Sequence, residues 1–178
     1  STTLAVDSLA KKMKAEGLDV VGFGTGEPDF DTPENIKEAG KRAIDEGKTK
    51  YTPAAGIPAL RKAAADRLKA DFDLDYDQSQ IVIASGAKHN VYIALVTLLN
   101  PGDEVVIPAP YWVTYSEAVA MAGGVPVLIT VGEERQFKIS PEELEAAITD
   151  KTKLFMMNNP SNPTGMLYSK EELKTIAD

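Results

Sequence analysis

The chain has 178 residues, with 27 acidic against 19 basic side chains and a net charge of −8. No Lys/Arg stripe interrupts the mixed charges, so nucleic acid and anionic membrane surfaces are disfavoured and a small-molecule ligand is expected. There is no Cys and a single His, His89, which excludes a disulfide framework, zinc catalysis and a Cys nucleophile.

In chain order, Leu9 and Met13 lie four apart and predict a helix over 8–16, ended by Gly17. Residues 20–23 read as a short strand leading into Gly24-Thr25-Gly26-Glu27-Pro28. Thr32, Pro33 and Glu34 read as N-cap, first helical position and acidic first turn of a helix that runs to 46, where Gly47 stops it. Leu60, Ala64 and Leu68 repeat at spacing four and predict a helix over 57–71, and the acidic stretch 71–77 reads as a solvated connector.

Strand and helix then alternate. Strands are expected at 81–84, 104–107, 125–129 and 153–157; helices at 87–99, 114–122 and 141–148, the last started by Ser140. Ser169 caps a final helix. Short, almost wholly apolar strands separated by amphipathic helices imply an α/β layered sheet, mostly parallel, with helices on both faces. No apolar run approaches the roughly 20 residues that cross a bilayer. The first residues lack the basic region and apolar stretch of a secretory signal, so a cytoplasmic protein is expected.

Ligands of open α/β sheets sit beyond the carboxyl ends of strands, and three loops at such ends stand out. Ser85-Gly86-Ala87-Lys88 follows a strand and opens a helix, where free backbone N–H groups and the helix dipole favour an anion, although an ordinary strand-to-helix turn would read alike. Pro108-Ala109-Pro110-Tyr111-Trp112 carries the only Trp, which could stack on a planar ring or pack in the core. Asn162 lies between Pro160 and Pro163, which stiffen its backbone and hold its amide with little entropic cost on binding.

Competing motifs are weaker. Gly22-Phe23-Gly24-Thr25-Gly26 resembles a dinucleotide loop but runs into Glu27-Pro28-Asp29 instead of a helix, and its carboxylates would repel a pyrophosphate. Asn159-Pro160-Ser161 and Asn162-Pro163-Thr164 have Pro where glycosylation forbids it. Ser85-Gly86-Ala87-Lys88 also fits the Ser-x-x-Lys pattern of an acyl-enzyme, without its companion motifs, and a non-catalytic ligand-binding domain stays open.

Taken in order, 26–33 (Gly-Glu-Pro-Asp-Phe-Asp-Thr-Pro), Tyr51-Thr52-Pro53, 56–61 (Gly-Ile-Pro-Ala-Leu-Arg), Asn100-Pro101-Gly102-Asp103-Glu104, Pro110-Tyr111-Trp112 and Asn162-Pro163-Thr164-Gly165 resemble the landmarks of a class I/II aminotransferase. These are fold type I pyridoxal-phosphate enzymes, and the resemblance is to the N-terminal half of the bacterial aspartate aminotransferase group. It implies that 1–36 belong to a small domain and 37–178 to the first part of the large cofactor-binding domain. It implies pyridoxal 5'-phosphate held by the Gly86, Ala87 and Lys88 turn, Trp112 stacked on the ring, and Asn162 bonded to the ring's phenolic oxygen close to the substrate carboxylate. Gly26 would offer its backbone to the substrate, and Tyr51 would reach the phosphate of a neighbouring subunit, which implies a homodimer. The implied substrates are an amino acid, aspartate, and a 2-oxo acid, 2-oxoglutarate. The Schiff-base lysine is implied downstream of Asp178, so Lys88 is not given that role, and His89 is given none.

Overall fold

A computed structural model describes residues 2–24, 26 and 28–178; Thr25 and Glu27 of the motifs quoted above lie outside the described residues. The chain divides into two compact units, Ser1–Tyr51 and Thr52–Asp178.

Among its described residues the first unit holds two helices, α1 (Thr2–Ala15) and α2 (Glu34–Asp45). Both end as their glycines predict. Gly17 and Gly47 take φ +85° and +71°, and the next residue donates back to the helix, Leu18 N–H to Met13 O at 3.1 Å and Lys48 N–H to Ala43 O at 2.9 Å. That is the Schellman arrangement, which satisfies carbonyls a helix end would otherwise leave open. Three expectations shift. The first helix, expected over 8–16, begins already at Thr2. The cap of α2 is Pro33 and not Thr32, and no side chain caps it. Residues 20–23 form no strand, because an extended run becomes one only when a neighbour accepts its hydrogen bonds.

The second unit opens with α3 (Pro58–Phe72), ended by Asp73 in the left-handed region. The strand expected at 81–84 is also unpaired in a ladder. Its backbone is instead tied by Ile83 N–H to Ala55 O at 3.0 Å and by Arg61 Nε to Ile81 O at 2.8 Å. Then follow α4 (Ala87–Leu98), β1 (Glu104–Ala109), α5 (Thr114–Met121), β2 (Val125–Thr130), α6 (Pro141–Ala147), β3 (Thr152–Phe155) and α7 (Lys170–Ala177). Ser140 and Ser169 cap α6 and α7 through capping boxes with Glu143 and Glu172.

The strands form a parallel sheet in the order β2-β1-β3, as the apolar strand pattern implied. Alternation along β1 divides its side chains between two cores. Val105 and Ile107 pack with Leu95 of α4, with Leu99 that caps it, and with Ala118 and Val119 of α5. Val106 points the other way, into Ile129, Val131, Ile139 and Leu144, with Phe155 and Ile176 against them. All three β1 residues are fully buried, each worth about 1.5–3 kcal/mol relative to an exposed side chain. Thus α4 and α5 cover one face, and α6 and α7 the other.

Candidate active site

The chain leaves β1 towards α5 on one face and leaves its neighbour β3 towards α7 on the other. Adjacent strands whose connections part in this way open a crevice at their carboxyl ends, the place where ligands of open α/β sheets bind. A cleft is found there. Pro110 and Tyr111 line it from the β1 loop, Asn158 and Asn162 from the β3 loop, and Phe137 and Tyr168 complete the wall.

The loop carrying Asn162 is closed by side chains. Asn159 Nδ2 donates to Tyr168 O at 3.2 Å, and Tyr168 N–H donates to Asn159 Oδ1 at 2.9 Å, so one amide clamps both backbone groups. Ser161 N–H to Met166 O and Gly165 N–H to Ser161 O, both 2.8 Å, brace the interior. Asn162 N–H donates to Asn158 Oδ1 at 3.2 Å, while the Asn162 side-chain amide is exposed and free among the described residues. The Asn159-Pro160 and Asn162-Pro163 bonds are cis. At the base, the buried Tyr168 hydroxyl accepts Ile139 N–H at 2.8 Å. Burial raises the Tyr168 pKa above its usual value, against the lowering effect of that hydrogen bond.

Trp112 belongs to neither apolar core; Tyr111 and Tyr115 pack against the first one in its place. The Trp112 ring meets Tyr115 edge to face at 5.5 Å, and Tyr115 also lines the cleft. Lys88 Nζ lies 5.1 Å from the Trp112 ring centroid, within cation–π range. This contact brings the α4 turn up to the aromatic loop. It also engages the Lys88 ammonium with an indole face, which gives no support to a Ser85/Lys88 nucleophile and base.

At the turn itself, Gly86 caps α4 with φ +85°, a conformation side chains disfavour, and a Cβ there would meet open space within 4 Å. Gly86 N–H is taken by Ala84 O at 2.9 Å and Ser85 N–H by His89 Nδ1 at 3.4 Å. The N–H groups of Ala87, Lys88 and His89 have no protein acceptor among the described residues, as the first turn of a helix leaves them. Gly26 and Tyr51 stand in the first unit, where both are exposed. Among the described residues no group of His, Asp or Glu is placed to hold a metal, and no helix is long and apolar enough to cross a membrane.

Residues 18–178 match the family of class I and II aminotransferases. The chain belongs to this family. It is 53% identical to the aspartate aminotransferase of Bacillus sp. (strain YM-2), covering 99% of the chain and 45% of that aminotransferase. It is 52% identical to the aspartate/prephenate aminotransferase of Cereibacter sphaeroides, over 100% of the chain and 44% of the relative. Among solved structures, the Thermus thermophilus aspartate aminotransferase with maleate superposes at TM-score 0.95 and 44% identity, over 99% of the chain and 46% of its own. The chain therefore spans less than half the length of these aminotransferases.

Asn158, Asn159 and Tyr168 support the candidate site, and sequence reasoning assigned them no role. The Asn-Asn pair before Pro160 was the available signal, because Asn side chains bond readily to nearby backbone in turns.

Proposed function

We propose that the protein containing this chain transfers the amino group of aspartate to 2-oxoglutarate with pyridoxal 5'-phosphate as cofactor, and that the 178 residues alone bind the cofactor without turnover. The observation that carries this reading is the α4 turn: three adjacent free N–H groups at a helix N-terminus, a glycine that leaves the approach open, and Lys88 and Trp112 beside them. Those features fit a phosphate monoester joined to a planar ring.

Backbone N–H groups of Ala87 and Lys88 hold the phosphate, and Gly86 admits it close to the chain. Trp112 stacks on the ring with the indole face that Lys88 does not cover. The Asn162 amide, free and fixed by its clamped loop, donates to the ring's phenolic oxygen and lies near the substrate carboxylate. Gly26 offers its backbone to the substrate, and Tyr51 reaches the phosphate in the second subunit of a homodimer. When bound, the cofactor supplies the electron sink for the reaction. The reactive lysine and the acid that faces the ring nitrogen lie outside these residues, in the longer protein, where 1–36 form part of a small domain and 37–178 the start of the large one.

Incubating the full-length protein with the cofactor, aspartate and 2-oxoglutarate should yield oxaloacetate and glutamate, while the 178-residue chain yields neither. Turnover by the short chain, or none by the long one, would overturn the proposal. Trp112→Ala should weaken cofactor binding about tenfold, on the scale of a lost aromatic contact; unchanged affinity would remove Trp112 from the site.

A further inference from the structure

Each backbone N–H needs an acceptor or a ligand, and the residues around Gly86 can be taken one by one. Gly86 N–H goes to Ala84 O, Asn90 N–H to Gly86 O at 3.5 Å, and Ser85 N–H to His89 Nδ1 at 3.4 Å. The last is unusual, because the acceptor is an imidazole from the first turn of the helix that the strand-to-helix turn opens. It closes a ring of chain around the one residue there with positive φ. Nδ1 accepts in this bond, which leaves Nε2 facing away from the turn's backbone. His89 is exposed, belongs to neither apolar core, and is the sole His of the chain.

The bond has a consequence for the three free donors. Glycine loses more freedom on ordering than any other residue, so a turn built on Gly86 is costly to hold in one shape. Lys88 cannot hold it, since its ammonium lies over Trp112. The His89 ring ties the residue before Gly86 to the helix after it, and so orders the turn before any ligand arrives. It also takes Ser85 N–H out of competition for that ligand.

We infer that His89 is a positioning residue of the phosphate-binding turn: it pins Ser85 N–H through Nδ1 and so presents the N–H groups of Ala87, Lys88 and His89 to a phosphate monoester. The inference rests on the reading of this turn as the cofactor's phosphate site.

The test uses pyridoxine 5'-phosphate and pyridoxine, which lack the aldehyde and cannot attach to lysines. Each is titrated into the 178-residue chain at pH 8, where an ordinary imidazole is neutral, and binding is followed by fluorescence of Trp112, the only Trp. His89→Leu should weaken pyridoxine 5'-phosphate about three- to tenfold, as for one lost hydrogen bond, and leave pyridoxine unchanged. His89→Gln, whose side-chain oxygen can accept the same N–H, should return affinity to within about twofold. In ¹⁵N-labelled chain the Ser85 amide proton should move upfield in His89→Leu and stay in His89→Gln; the same spectra report whether each variant is folded, with His89→Ala in reserve. Unchanged phosphate affinity in a folded His89→Leu, an equal loss for pyridoxine, or no rescue by Gln would overturn the role of His89 alone. No saturable binding by the unaltered chain would instead overturn the phosphate reading of the turn.

Discussion

Between Ser1 and Tyr51 no described residue is buried, whereas Thr52–Asp178 carry two apolar cores on opposite faces of one sheet. The first unit is not poor in apolar residues. Leu9, Phe23, Phe30, Ile36 and Ile44 are all there, and all are exposed. Its helices rest on local devices: glycine ends, and ion pairs such as Glu34–Lys37 at 2.8 Å. Such surface pairs contribute a few tenths of a kcal/mol each. Apolar periodicity makes a helix, then, but only a covering element makes a core, and within the second unit β1 supplies that cover in both directions.

The sharpest way to break this contrast is to truncate matched isoleucines. Ile107→Ala, in the buried centre of β1, should cost about 2–5 kcal/mol in urea denaturation. Ile44→Ala, on exposed α2, should stay within about 0.5 kcal/mol. Equal effects would dissolve the distinction between the units.

Next in size is Tyr168. Tyr168→Phe leaves Ile139 N–H buried without its acceptor and should cost about 1–3 kcal/mol. A pH series adds a sign. The folded pKa is raised above 10.0, mainly by burial, so folded chain holds the phenolic proton more tightly than unfolded chain. Stability is therefore full below pH 10 and falls as pH rises through the folded value. Tyr168→Phe should remove that part of the alkaline decline; an identical decline in both proteins would assign it elsewhere.

The smallest effect sharpens the comparison at helix starts. Ser140→Ala should cost about 1 kcal/mol, because the Ser140 hydroxyl accepts Glu143 N–H at 3.3 Å. Thr32→Ala, before a helix with no side-chain cap, should leave thermal unfolding unmoved. A matching loss at Thr32 would mean that α2 is capped by it after all.

What could be read ahead of the structure follows the range of the interaction. The stops at Gly17 and Gly47 and the caps at Ser140 and Ser169 are local, set by residues within a turn of one another, and were legible. The parallel α/β order was legible because apolar runs and amphipathic helices alternate. Residues 20–23 and 81–84 are as apolar as true strands, but pairing depends on a distant neighbour that no local pattern names. At the candidate site, Asn162, Trp112 and the 85–88 turn were visible through their prolines, aromatic and glycine. The reach of Lys88 to Trp112 was not, since it depends on how two folded loops face one another; nor were the clamp of Asn159 on Tyr168 and the bond from Ser85 to His89, which lie within one loop and one turn but depend on side-chain rotamers that no residue pattern sets.

The divergence of the chain after β1 and β3 carries a consequence for change over time. The gap between those strand ends comes from the route of the backbone, and neither apolar core has to be hollowed out to make it. Residues on the rim can thus be exchanged, and the preferred ligand altered, with the stabilising interior left as it is. A library confined to Asn158 and Asn162, the exposed asparagines of that rim, should vary in what it binds and little in how firmly it folds.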